Sequence, residues 1–219
     1  MNSPVRVGTD ADETRARILD VAEEHFRRIG YHKTRVADIA SELGMSPANV
    51  YRFFPSRDAI NESICARVFN EVAGIALAIA NRNAPAAEKL DQLLTAVHRQ
   101  NKMKVLKERH MHDLIVVAMQ GNWVIVKAYI ERMVTIFEAT IREGIQAGEF
   151  EVEDAAKAAR AVKSAFMAFS HPMLIEHCVR HGVDTEADLR NQIRFILKAL
   201  GKSDSAPGRS QRSSSVSKS

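Results

Sequence analysis

Apolar residues recur at intervals of three and four along most of the chain, a spacing that puts them on one face of successive helices and predicts an all-α protein. Ile18, Leu19, Ala22, Phe26 and Ile29 form the first stripe from about Thr14, and Gly30 closes it where a left-handed residue costs least. A second helix is predicted from Thr34, a good N-cap, through Val36, Ile39, Ala40 and Leu43 to Gly44. The third follows at once. Ser46 offers a cap, and Pro47 takes the first helical position, where its missing N–H is no loss.

Longer segments come next. Asp58 to about Asn81 carries Ile60, Ile64, Val68, Val72 and Ile75 on one stripe, and Pro85 restarts the chain for a helix from Ala86 to about Lys107. The remaining pieces are expected near His110 to Gln120, Asn122 to Ala147, Asp154 to Phe169 with a continuation after Pro172, and Thr185 to Leu200. Gly121-Asn122, Gly148, Pro172 and Gly182 stand at the breaks, as turn-forming residues should. The division expected is a flexible start at 1–13, a helix-turn-helix unit at 14–60 with its fourth helix as connector, a helical domain at 61–200 and a disordered Ser-rich tail at 201–219.

Two short helices joined by a turn around Gly44 have the dimensions of a helix-turn-helix, and equally those of a plain helical hairpin. The stretch MSPANVYRFF separates the two by its outward residues. If Val50 and Phe54 turn inward, Pro47, Ala48, Asn49, Tyr51 and Arg52 are left on outward or flanking turns, a small-then-polar surface suited to base edges and phosphates. Asn can pair bidentately with adenine and Arg with guanine, while Ala or Pro can meet a thymine methyl.

Charge refines this picture. The 219 residues carry a net charge of +4, but residues 1–70 hold 10 basic and 10 acidic side chains, and 201–219 hold 4 and 1. Most of the excess therefore lies in the tail. Within the first 70 residues the signs separate: Asp10, Asp12, Glu13, Asp20, Glu23 and Glu24 come early, whereas Arg27, Arg28, Lys33, Arg35, Arg52 and Arg57 come late. A hydrophobic content of 46% is enough to bury a core. The longest uncharged apolar run near the middle, Val72 to Ala80, is nine residues and too short to cross a bilayer. No secretory signal is evident at the start, so a cytoplasmic location is expected. Cys65 and Cys178 lie in apolar helical contexts without CxxC spacing, and read as reduced, buried thiols.

The string GYHKTRVADIASELGMSPANVYRFFPSRDAI, Gly30 to Ile60, with the lead-in ILDVAEEHF, resembles the DNA-binding domain of the TetR family of tetracycline-repressor-like regulators. The likeness is carried by Phe26, Gly30, Tyr31, Thr34, Ile39, Ala40, Gly44, Ser46, Val50, Tyr51, Phe54, Arg57 and Ile60, over roughly the first quarter of the chain. It implies a recognition helix over about Ser46 to Arg52, with phosphate contacts from Thr34, Tyr51 and Arg57. Arg35, Ser46, Pro47, Ala48, Asn49 and Arg52 complete the expected DNA-binding set. Phe53 stands where the family often has His or Tyr, so no phosphate contact is expected from it.

The resemblance further implies a helical regulatory domain, a homodimer built through the last two long helices, AAKAARAVKSAFMAF and DLRNQIRFILKAL, and a small-molecule effector. Leu189, Ile193, Ile196, Leu197 and Leu200 would give the second of these its apolar face. The region able to line an effector pocket offers His112, Met119, Trp123, Phe137, Phe166 and His171, with Met103, Tyr129 and Met167 nearby, though Met and aromatic residues at helical spacing also make ordinary core. His177 and His181, four apart beside Cys178, have a spacing that can hold a metal, yet the same spacing is the norm on solvated helices; no metal and no cofactor are expected. The reading is a ligand-responsive regulator, a repressor in sense, that binds palindromic operator DNA and no membrane. The alternatives are a helical binding protein or enzyme with a vestigial helix-turn-helix, and an effector-free DNA binder controlled by a protein partner. No catalytic constellation stands out to support an enzyme.

Overall fold

The computed structural model describes residues 7–183 and 185–201, and those residues form eleven helices with no strand. They are α1 (Val7–Ile29), α2 (Val36–Glu42), α3 (Pro47–Phe53), α4 (Arg57–Ala80), α5 (Ala86–Lys107), α6 (Arg109–Gln120), α7 (Val124–Gln146), α8 (Ala155–Ala165), α9 (Met167–Ser170), α10 (Pro172–Arg180) and α11 (Thr185–Leu200). The expected disorder of the first six residues and of the tail from 202 onward concerns positions outside the described residues.

Local chemistry explains most boundaries. The α2 terminus is a Schellman motif: the amide of Met45 donates to the Ala40 carbonyl at 2.9 Å and that of Gly44 to Ser41 at 3.1 Å, with Gly44 at φ +66°. Ser46 caps α3 by accepting from the Asn49 amide at 3.2 Å, and Ser56 caps α4 by accepting from Ala59 at 3.1 Å, each worth about 1 kcal/mol. Asp154 accepts from the amides of Lys157 and Ala156, and these bonds hold its carboxyl below the ordinary range. Pro85 has no capping side chain, so the start of α5 is served from afar. Glu149, beyond α7, accepts from the amides of Ala86 and Ala87 at 2.9 and 3.0 Å.

Four expectations change. The first helix starts at Val7 rather than Thr14, so residues 7–13 of the segment expected to be flexible are helical; the Thr14 hydroxyl bonds back to the Asp10 carbonyl at 2.8 Å and caps nothing. Thr34 does not cap α2. The turn folds it inward, and Arg35 takes the N-cap position with its amide donating to the Asp38 carboxylate at 3.0 Å. The segment from Asp154 to Phe169 breaks at Phe166, whose ring is buried in the core and whose position neither Gly nor Pro announces. Cys178 is half-buried, whereas Cys65 is fully buried and its thiol is pushed up to about 12.

Two apolar clusters organise the helices. The first gathers Ile18, Phe26, Ile39, Val50, Phe54, Ile60 and Ile64, and is completed by Met111, Leu114, Ile115 and Ala118 of α6. The second joins Val72 and Ala76 of α4 to Leu90 and Leu94 of α5, Phe137 and Ile141 of α7, Val162 of α8, and Leu189, Ile193, Ile196 and Leu200 of α11. Helix α4 runs through both clusters. Its length and composition would suffice to cross a bilayer, more than the nine-residue run suggested, but its apolar stripe packs against α1, α5, α6 and α7 as a core helix does.

Two predictions follow from this packing. A Cβ on Gly144 would lie 2.2 Å from Phe150 Cδ2 and 2.9 Å from Ala86 Cβ, so Gly144→Ala should destabilise the protein by about 1–3 kcal/mol in denaturant titrations. His98 is fully buried between the Phe169 carbonyl, 2.8 Å from Nδ1, and the Thr185 hydroxyl, 3.1 Å from Nε2, and burial lowers its pKa. Below its ordinary value of 6.5 the unfolded chain takes a proton that the folded one refuses, so stability is fully present above that pH and falls as pH drops toward the lowered folded value. The melting temperature should decline between pH 7 and 5, and less steeply in His98→Gln.

Candidate nucleic-acid interface and effector cavity

Helix α3 is short, and its inward side decides what it shows outward. Val50 and Phe54 are buried, which leaves Ser46, Pro47, Ala48, Tyr51 and Arg52 exposed and Asn49 half-buried. Lys33 and Arg35, just before α2, are exposed, and neither they nor Arg52 makes an ion pair among the described residues. Two other basic side chains are neutralised instead: Arg27 is held by Glu23 and Glu108, and Arg67 by Asp20 at 2.6 Å. One contributor escaped the sequence reading. The Arg15 guanidinium of α1 stands 5.6 Å from the Phe54 ring centre, at the end of α3, although it lies in the acidic part of the chain and no motif marks it.

Two expected phosphate contacts are placed otherwise. Thr34 is 2% exposed and its hydroxyl donates to the Gly30 carbonyl at 3.0 Å, so its side chain closes a turn and is not presented outward. Arg57 is half-buried and donates to the Tyr31 carbonyl, tying the start of α4 to the turn after α1. Tyr51, 46% exposed, remains free to reach outward. His25 anchors α2 from behind, its Nε2 2.7 Å from the Glu42 carboxylate.

In the second domain, four of the six expected pocket residues meet. Met119, Phe137, Phe166 and His171 border a cavity of about 90 Å³, joined by Tyr129 and Met167 and by Met133, Lys163 and Ser170, which sequence reasoning did not single out. Lys163 stands three residues before Phe166 on a helix with small neighbours, a spacing that could have flagged it. His112 faces an adjoining space of about 20 Å³, and its Nε2 lies 3.1 Å from Glu176. Trp123 lies outside both spaces: it packs against the first cluster and over Gly121. Met103 also borders neither cavity and is 40% exposed. Tyr129 stacks on Phe69 of α4 with ring centres 4.6 Å apart, and burial raises its phenol pKa. His177 and His181, both exposed, lie with tilted rings 4.2 Å apart at the end of α10, and no group of three metal-ligating side chains occurs among the described residues.

Comparison with known proteins agrees with this layout at both ends. Residues 18–64 match the family described as bacterial regulatory proteins, tetR family, and residues 86–189 match the tetracyclin repressor-like C-terminal domain. The chain belongs to the TetR family. It is a transcriptional regulator with a helix-turn-helix DNA-binding domain. It is 36% identical over 56 residues to the HTH-type transcriptional regulator UidR of Escherichia coli K12, a match over 26% of this chain and 29% of that protein. The chain thus spans less than a third of the length of the curated relatives it matches. A transcriptional regulator from Cytophaga hutchinsonii has a similar fold, with TM-score 0.63 and 17% identity over 86% of this chain and 99% of that one. So does RolR in complex with its ligand resorcinol, with TM-score 0.56 and 16% identity over 88% and 90% of the two chains.

For a TetR-family regulator these placements give separable predictions. Lys33→Ala and Arg35→Ala should each weaken binding to all DNA and flatten the slope of log K against log salt by about 1. Arg57→Ala should act first on folding, because it strips the Tyr31 carbonyl of its donor; a lowered melting temperature with an unchanged salt slope is the expected signature.

Proposed function

We propose that this TetR-family protein is a ligand-responsive repressor that binds a palindromic operator as a dimer, in the cytoplasm, and is released by a small-molecule effector. The observation that carries the reading is α6. This one helix supplies Met111, Leu114, Ile115 and Ala118 to the core beneath the helix-turn-helix and Met119 to the wall of the cavity. An occupant that displaces Met119 therefore acts on the packing that orients α3. The solved complex of RolR with resorcinol supports the reading by showing a ligand-bound protein of the same fold.

DNA reading is assigned to the exposed face of α3. Asn49 and Arg52 are the proposed base-reading residues, Ser46, Pro47 and Ala48 allow close approach, and Tyr51, Lys33, Arg35 and Arg15 serve the backbone. Asn49→Ala or Arg52→Ala should cost about 1–3 kcal/mol on the preferred site and much less on random DNA. Equal losses on both would assign them to the backbone or to folding.

The dimer reading needs a change of surface. Leu189, Ile193, Ile196 and Leu200, expected to face a partner, are buried within this chain's own core. What α8 and α11 still present is Phe195, 66% exposed, beside Ala158, Ala161, Ala165 and Ala199 around a groove of about 240 Å³. Small residues admit close helix approach and Phe195 supplies an anchor, so this is the proposed two-fold contact.

Selection of genomic DNA fragments by the purified protein tests the whole proposal. Enrichment of an inverted repeat, with half-sites about 34–36 Å or a whole-turn multiple apart, is the expected result. Phe195→Asp should yield a folded monomer with sharply weaker binding to that repeat. Enrichment of no common sequence, or a wild-type monomer at micromolar concentration, would overturn it.

A further inference from the structure

The cavity between α5, α7 and α8 is mostly apolar, with Met119, Met133, Phe137 and Phe166 in its lining. Its polar lining comes from Tyr129, from Lys163 of α8, and from Ser170 and His171 at the junction of α9 and α10. Burial lowers the His171 pKa, and the Lys163 charge is close enough to lower it further. The Ser170 hydroxyl is already committed to the Phe166 carbonyl at 3.2 Å. Lys163 and His171 are not committed. Lys163 makes no ion pair among the described residues, and His171 Nδ1 is buried without a hydrogen-bond partner.

Three buried basic groups of this domain have carboxylate partners, whereas Lys163 and His171 are half-buried. Lys89 is held by Glu143 at 2.6 Å, Lys104 by Glu71 at 3.1 Å, and His112 stands 3.1 Å from Glu176. No carboxylate borders the larger cavity. His171 also directly precedes Pro172 at the first position of α10, so the positive end of that helix dipole lies beside it. Burial and the Lys163 charge lower the His171 pKa, which keeps the ring neutral and able to donate one hydrogen bond near pH 7. A lining with an unpaired ammonium, an unsatisfied ring nitrogen and no acid lacks one component, an anion.

We propose that this cavity binds a small organic monocarboxylate, its acid group held by the Lys163 ammonium and the His171 imidazole and its apolar part seated between Phe137 and Phe166. A volume of about 90 Å³ is smaller than the roughly 150 Å³ that holds benzene, so even one ring or a short chain requires the lining to yield, and nothing larger is expected. The flexible side chains of Met119 and Met133 supply the remaining room. The consequence for DNA rests on the effector reading above; the binding does not.

Calorimetry on the full-length protein with benzoate, hexanoate and octanoate, each against its neutral alcohol, tests the inference. Each acid should bind more tightly than its alcohol by roughly 10- to 100-fold, the range of a charge-assisted hydrogen bond. Lys163→Met should remove that advantage and leave alcohol affinity unchanged, which also certifies an intact cavity, and Lys163→Arg should restore it in part. Equal affinity of acids and alcohols, full acid binding by Lys163→Met, or no binding of any acid at millimolar concentration would each overturn the inference. DNA release measured in parallel separates the two readings. Benzoate that binds through Lys163 but leaves DNA affinity unchanged upholds the site and sinks the effector function; alcohols that release DNA as well as acids do the reverse.

Discussion

Helices α2 and α3 are seven residues each, two turns apiece, and helices so short do not persist on their own in water. Their existence and their angle depend on one apolar contact, the seating of Ile39, Val50 and Phe54 on Phe26, Ile60 and Ile64. Everything the DNA-binding domain presents outward follows from that seat, because burial of Val50 fixes which way Tyr51 and Arg52 point. The seat is not self-contained. Met111, Leu114 and Ala118 of α6 form part of it and are themselves fully buried. A boundary drawn at residue 60 therefore divides the sequence more cleanly than it divides the packing.

Elements whose limits are written in local chemistry were legible in the chain. Gly44, Ser46 and Pro47 specify a turn and a helix start by backbone conformation and capping alone, and the structure places both there. The inward burial of Val50 and Phe54 was readable for the same reason, since helical period leaves them no other side. Long-range choices were not legible. Thr34 has the chemistry of a cap, but the turn after Gly30 carries it into the interior, where the Gly30 carbonyl takes its hydroxyl proton. The break at Phe166, a buried residue in a stretch with neither Gly nor Pro, has no local signal in the sequence. Trp123 shows the limit of composition as evidence: an aromatic residue in the right region packs over Gly121 and does not border the cavity. For α11, an apolar face wide enough for a partner turned out to be the face that closes the chain's own core, leaving Phe195 as the residue to explain.

The cavity gains its meaning from what surrounds it. An apolar space this small would be a minor packing defect if its rim were apolar too. Its lining instead holds Lys163, half-buried and in no ion pair among the described residues, and His171, whose Nδ1 has no partner, while the buried Lys89 and Lys104 are matched to carboxylates. Buried polar groups are satisfied in most folded proteins, so the unpartnered His171 Nδ1, with the unpaired Lys163 in the same lining, is what the proposed anion would answer.

The proposed coupling between such an occupant and DNA would run through shared packing. A ligand changes an equilibrium only by the difference in its affinity for the two states, so its binding must distinguish two arrangements of α6 or of α4. Both helices are shared: α4 runs through the two clusters, and Tyr129 at the cavity wall stacks on its Phe69. Close-packed interiors move between discrete arrangements rather than yielding smoothly, so under the proposed reading a displacement of Met119 or Tyr129 would reach α3 as a repacking of the core they share. By linkage the transmission is reciprocal. Operator DNA that favours one seating of α3 must disfavour the occupant of the cavity by the same factor, typically about 5- to 150-fold. Under the proposed reading, the two-turn recognition helix, which depends on the packing beneath it, is the element that such a repacking would move.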